Sequence, residues 1–236
     1  MPDGFITSTD DVLAMLDKLL AAHGAEFWDE FFADRAKSIP FFTDQPDESL
    51  AGWLAEGSLS SGRALELGCG NGRNTTYLAS LGCRVDAVDF SAQAIAWTRQ
   101  RAQAAGVSVN LRCSSIFDAR IPEQTYDLVY DSGCFHHIAP HRRPEYVELV
   151  GRVLKPGGHF GLTCFRPEGG SGLSDQQVYQ RASLGGGLGY TEHQLRALFG
   201  TGPLTVLELR QMRAVAEDEP LFGLDFLWVM LSTKPA

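Results

Sequence analysis

The chain has 236 residues, 44% of them hydrophobic and 21% charged, enough to bury one sizeable core, which excludes intrinsic disorder, collagen-like repeats and small disulfide scaffolds. Its formal net charge of -9 offers no overall attraction to phosphate backbones or anionic lipid, so neither nucleic acid nor a membrane is an expected partner. No stretch approaches the roughly 20 apolar residues that span a bilayer, and the opening MPDGFITSTDD has neither a basic nor an apolar leader region, so a cytoplasmic protein is expected.

Ahead of about Gly62, DVLAMLDKLLAAHG and EFWDEFFADRAK carry helical spacing, while SIPFFTDQPDESLAGWL is aromatic and punctuated by proline. Residues 1–61 are expected to form a helical N-terminal cap on a core spanning 62–236, the two making one structural domain. From Arg63 short apolar runs alternate with helical patterns: RALEL, NTTYLASLG, RVDAV, SAQAIAWTRQRAQAAG, VSVNLRC and YDLVYD. That alternation predicts an α/β fold, a mostly parallel sheet with helices on both faces. The helix at Ser91 starts on an N-cap residue and ends at Gly106, where a left-handed cap costs least. PEYVELVGRVL is then closed by Lys155, Pro156, Gly157 and Gly158 before the strand HFGLTCF. Gly169 to Gly189 reads as a glycine-rich loop suited to a mobile lid, followed by a helix at Thr191. TVLELRQMRAV and FLWVMLST, joined by AEDEP without a helix, predict an antiparallel hairpin at the C-terminal edge. Cys69, Cys83, Cys113, Cys134 and Cys164 include no C-x-x-C pair and read as small core residues of a reduced protein.

The most informative stretch is ALELGCGNGRN, residues 64–74. A buried strand carrying Glu66 runs into Gly68, Gly70 and Gly72, where the backbone must turn and let a ligand lie against it without a Cβ in the way. The pattern E-x-G-x-G-x-G differs from the G-x-G-x-x-G of dinucleotide folds. Asp89, at the end of RVDAVD, is placed to accept hydrogen bonds from a ribose diol and also to cap the helix at Ser91.

These motifs resemble those of class I S-adenosylmethionine-dependent methyltransferases: ELGCGNG the first, VDAVDFS the second, and YDLVYDSGCFHHI with LKPGGHF the fourth and the segment after it. The resemblance implies a Rossmann-like, seven-stranded sheet with the last strand antiparallel, and S-adenosyl-L-methionine as cofactor with S-adenosyl-L-homocysteine as product. It implies that Glu66 approaches the methionine ammonium, that Gly68, Cys69, Gly70 and Asn71 line the cofactor, that Asp89 binds the ribose, and that Phe90 lies beside the adenine. RCSSIFDARI and YTEHQLRALFG are similar to segments of the thiopurine and small-thiol branch. That likeness implies adenine contacts from Ser115 and Ile116 and closure by Trp28 and Phe32, with Phe41 or Phe42 after them. Ser132 stands where small-thiol enzymes commonly carry an arginine.

Ligands of open parallel sheets gather at the carboxyl ends of the strands, so the acceptor is expected beyond YDLVYD, near Asp131, Ser132, Cys134, His136 and His137. Methyl transfer is an in-line displacement that requires alignment first and a base only for acceptors of high pKa. His136, His137 and Asp131 are the catalytic candidates. His137 and His141 stand four apart, but Pro140 breaks the helical register a metal pair needs, and no metal is expected. The expected activity is methyl transfer to a small-molecule thiol, hydroxyl or amine. The competing readings are a cofactor-binding protein without turnover and a nicotinamide-dependent oxidoreductase.

Overall fold

The computed structural model describes residues 5–21, 24–216 and 218–236. Three helices precede the first strand: α1 (Thr9–Leu19), α2 (Ala25–Ala33) and α3 (Glu48–Ala55). Strands and helices then alternate through β1 (Arg63–Leu67), α4 (Arg73–Ser80), β2 (Arg84–Asp89), α5 (Ala92–Ala104), β3 (Asn110–Cys113), β4 (Tyr126–Ser132), α6 (Arg143–Val153) and β5 (Leu154–Phe165). The chain continues through α7 (Asp175–Arg181), α8 (Glu192–Phe199), β6 (Thr205–Gln211) and β7 (Leu227–Thr233).

The strands form one sheet in the order β3-β2-β1-β4-β5-β7-β6. The first five run parallel, and β7 inserts antiparallel between β5 and β6, so the expected hairpin is present. Order reverses between β1 and β4, which places a topological switch point at the end of β1, where the glycine loop begins. Side chains alternate across the sheet as strand geometry requires. Leu65, Leu67, Val129, Phe160 and Leu162 pack with Tyr146 of α6 and Phe199 of α8 on one face. Ala64, Leu128, Tyr130 and Val229 pack with Trp53 of α3 and Leu78 of α4 on the other.

Three local expectations are corrected. The glycine-rich stretch contains α7, started by a capping box in which Ser174 Oγ accepts from the Gln177 N–H and the Gln177 side chain reaches back. The residues LKPGG do not end the preceding helix as a loop; they are the first part of β5, entering the ladder through an irregular step between Tyr126 and Leu128. Cys113 is exposed, because β3 is the outer strand at that end of the sheet, whereas Cys69, Cys83 and Cys164 are buried. The helix after Ser91 is as expected, with the Ser91 hydroxyl accepting from the Ala94 N–H at 3.1 Å. None of the described helices is long and apolar enough to cross a membrane.

Candidate functional site

At the switch point the Gly68 and Cys69 N–H groups donate to the Val88 carbonyl, at 2.8 and 3.1 Å, and turn the chain away from β1. Gly68, Gly70 and Gly72 have φ of +66, +53 and +77°, the left-handed region that favours glycine. Two of them are also needed for packing: a Cβ on Gly68 would meet the Cys134 Cβ at 2.5 Å, and one on Gly72 the Thr98 side chain at 2.5 Å. Gly70 differs. A Cβ there would meet only the rim of the Phe32 ring, at 3.3 Å, so among the described residues the cover over this face of the loop is a side chain from α2. The backbone thus forms a cradle into which a flat ligand can be laid once that ring yields.

Two carboxylates flank the cradle. Glu66 is pushed up to about 8 by burial, which outweighs the Thr75 hydroxyl bond and the Arg73 charge. Asp89 is pushed up to about 6, again by burial, although its Oδ2 accepts from the Gly70 N–H at 2.8 Å and its Oδ1 from the Ser91 N–H at 2.9 Å. Each carboxylate oxygen has a second lone pair, so Asp89 retains capacity for a diol beside these bonds. A folded-state pKa above the unfolded value means stability is lost as pH rises from about 4 through 6 for Asp89 and toward 8 for Glu66. A cationic ligand with a ribose reverses that penalty, and this donor set fits one.

The N-terminal helices lie across the cradle. Phe32 packs against Phe42 and Trp97, and Phe42 against Trp97 at 4.8 Å between ring centroids. Phe42 therefore stands behind Phe32, and Phe32 is the ring that meets the glycine loop. Trp28 reaches the far side of the cleft, its ring 4.6 Å from that of His137. Polar ties hold these helices down: the Ser91 hydroxyl and Gln93 N–H donate to Asp29 of α2, and the Asn71 amide donates to the Phe41 carbonyl at 2.8 Å. Asn71 thus fastens the glycine loop to the N-terminal segment. On the side away from β4, Phe90 is 37% exposed, Ile116 is buried, and the Ser115 hydroxyl accepts from the Phe117 N–H at 3.2 Å.

At the carboxyl end of β4, Asp131 is fully buried and pushed up to about 7 by that burial. Its Oδ1 accepts from the Cys134 and Phe135 N–H groups and its Oδ2 from the Tyr146 hydroxyl. The expectation that Asp131 acts on substrate is corrected: the carboxylate points into the protein and fixes the 3-10 turn Phe135–His137. His136 is also buried, its ring stacked on Phe165 at 3.7 Å, and its Nδ1 accepts from the Phe165 N–H at 3.3 Å. That bond assigns the proton to Nε2, so the ring is a donor there. Burial and the neighbouring His137 hold its pKa well below the usual imidazole value, so it stays neutral. His137 is half-buried, wedged between Trp28 and His136. The Gly169–Gly189 stretch forms a wall here, with the Leu188 N–H donating to the His136 carbonyl at 2.7 Å. His141 turns elsewhere, bonding Tyr179 and Asp17.

Sequence reasoning missed Arg73. From the first turn of α4 its Nη2 donates to the Ser132 Oγ at 2.8 Å and pairs with the buried Asp47 at 2.6 Å. A guanidinium therefore does stand at the position of Ser132, delivered from a different element. The only sequence signal was a cationic residue directly after Gly72.

The family whose sequence pattern matches, described as a methyltransferase domain, covers residues 64–158. The chain is 26% identical over 176 residues to the probable thiol methyltransferase 2 of Arabidopsis thaliana, covering 74% of this chain and 77% of that protein. Its fold is similar to that of a structure described as conversion of a disulfide bond into a thioacetal group during echinomycin biosynthesis, with a TM-score of 0.69, 21% identity, and 90% and 93% of the two chains covered. It is also similar to the N-methyltransferase NodS of Bradyrhizobium japonicum WM9 in complex with S-adenosyl-L-homocysteine, with a TM-score of 0.64, 20% identity, and 89% and 99% covered.

Proposed function

The chain belongs to the class I S-adenosylmethionine-dependent methyltransferases, and on that premise we propose that it transfers a methyl group to a small molecule held at the carboxyl end of β4, an ionisable thiol before a hydroxyl or an amine. The observation that carries the reading is the hydrogen bond from Arg73 to Ser132. Because the Ser132 oxygen accepts from a guanidinium, its own proton is free to donate to an acceptor that reacts as an anion. A thiol with an ordinary pKa near 8.5 meets that requirement at neutral pH without a base. The relative described as a thiol methyltransferase supports the same order of preference.

When bound, S-adenosylmethionine supplies an electrophilic methyl on a sulfonium. Gly68, Cys69 and Gly70 form the backbone surface against it, Glu66 meets its ammonium, and Asp89 holds its ribose. Phe90, Ser115 and Ile116 border the adenine. The N-terminal helix α2 closes the cleft through Phe32 and Trp28, excluding water from the transfer. His136 orients the acceptor by donating from Nε2, and His137 takes a proton from acceptors too basic to ionise unaided. Asp131 positions both histidines through the turn.

Transfer of labelled methyl to a matched panel of thiols, phenols, amines and carboxylates tests the assignment. Turnover greatest on thiols is the expected result. No turnover on any of them, with S-adenosylhomocysteine still bound, would leave a cofactor-binding protein without methyl transfer to these acceptors.

The buried acids give a second expectation. At pH 7 Glu66 is largely protonated in the free protein and must ionise to meet an ammonium, so cofactor binding releases protons. Affinity for S-adenosylhomocysteine is expected to rise between pH 6 and 8 by up to about tenfold per pH unit for each proton released. Calorimetry in two buffers of different ionisation enthalpy measures that release directly. Glu66→Gln is expected to reduce it and to weaken binding by roughly 10- to 100-fold, the worth of one charge-assisted bond. Unchanged release in the variant would remove Glu66 from the ammonium site.

A further inference from the structure

α4 and α5 bound a groove of about 850 Å³ that Arg73 lines but neither Gly70 nor Asp89 does. Its volume lies in the range of small-molecule sites and far exceeds what an inorganic ion fills. Three guanidiniums converge on it, from Arg35, Arg73 and Arg101, in a chain whose net charge is -9. Their existing partners leave positive charge over. Arg73 is neutralised by the buried Asp47, and Arg101 pairs with Asp44, a carboxylate 82% exposed and so loosely held. Arg35 bonds to Gln100 and makes no ion pair among the described residues. Arg35 and Arg101 both stand over the Trp97 ring, at 5.0 and 5.6 Å from its centroid, so one indole of the lining holds both cations. Burial holds the pKa of Arg101 down against the attraction of Asp44, with smaller contributions from the charges of Arg73 and Arg35. The Thr76 hydroxyl, also in the lining, is buried with no hydrogen-bond partner among the described residues. The rest of the wall is mixed: Tyr77, Ala104 and Leu221 supply apolar surface beside the polar Gln45, Ser80 and Gln100.

We propose that this groove is a binding site for a small aromatic oxyanion, whose anionic group replaces Asp44 on Arg101 and Arg35 while its ring lies along the apolar part of the wall. Carboxylates and phosphate monoesters share that chemistry. Titration of the full chain with phenyl phosphate, benzoate and inorganic phosphate at constant ionic strength, with and without saturating S-adenosylhomocysteine, tests it and separates the two sources. At least one aryl probe is expected to saturate, to bind at least about tenfold more tightly than inorganic phosphate, and to be retained when the cofactor product is bound. Arg35→Gln with Arg101→Gln is expected to weaken it by about tenfold or more without changing affinity for S-adenosylhomocysteine. Asp44→Asn removes the competing carboxylate from an exposed position and is expected to tighten binding several-fold, a gain that misfolding cannot imitate. The proposal is overturned if neither aryl probe binds, if Asp44→Asn brings no gain, or if S-adenosylhomocysteine displaces the probe, since the ligand would then lie in the cofactor cleft.

Discussion

Gly70→Val is expected to reduce affinity for S-adenosylhomocysteine by more than about 100-fold while the protein still folds. A β-branched side chain at φ +53° is strained, at a cost of order 1–3 kcal/mol, and its methyls project from the face of the glycine loop that, among the described residues, the Phe32 ring covers. The strain lowers stability as well as binding, so the comparison that isolates the cleft is Gly82→Val. Gly82 has φ +86° and a Cβ there would meet nothing within 4 Å, so that variant carries similar backbone strain without entering the cradle. Both variants are expected to lose a few to about ten degrees of Tm, and only Gly70→Val to lose the ligand. Calorimetric affinity undiminished in Gly70→Val would mean that the cofactor does not lie against this loop.

What the sequence disclosed about this cleft was what short-range chemistry encodes. The bare backbone at Gly70, the carboxylates at Glu66 and Asp89, and the helix capped at Ser91 each follow from residues a few positions apart, and the structure has all of them. The alternation of apolar runs with helical patterns likewise gave the parallel sheet, and the missing helix between the last two runs gave the antiparallel β7, both being written in local stretches of chain. Contacts between distant segments were not legible. Arg73 meets Ser132 across the gap between β1 and β4, and no pattern in either segment names the other. Asp29 reads as one more acid on an amphipathic helix, yet it fastens α2 to the start of α5. Asp131 sat at the right strand end for a catalytic acid; only Tyr146, from the following helix, shows that its carboxylate faces inward. The aromatics were ambiguous for the same reason: the likeness to the small-thiol branch offered Trp28 and Phe32 with Phe41 or Phe42, and tertiary packing alone set Phe32 against the glycine loop.

The inward carboxylate also divides the labour of the two histidines. Both ride on a turn held by Asp131, but the Phe165 N–H occupies Nδ1 of His136 and leaves that ring a neutral donor. His137→Ala is therefore expected to lower kcat for phenol acceptors by about 10²–10⁴-fold, the usual worth of a positioned base, and for thiols by less than about tenfold, since a thiol near pKa 8.5 is already partly ionised. The acidic limb of the kcat profile with phenols is expected to disappear, and added imidazole to restore part of the rate, neither of which a packing role against Trp28 would produce. His136→Ala is expected to raise KM instead and to destabilise the protein by about 1–3 kcal/mol, because it strands the Phe165 N–H and removes the ring stacked on Phe165. Its pH profile keeps the wild-type shape. If the two variants exchange these signatures, the base is His136 and the hydrogen bond from Phe165 must break when the acceptor binds.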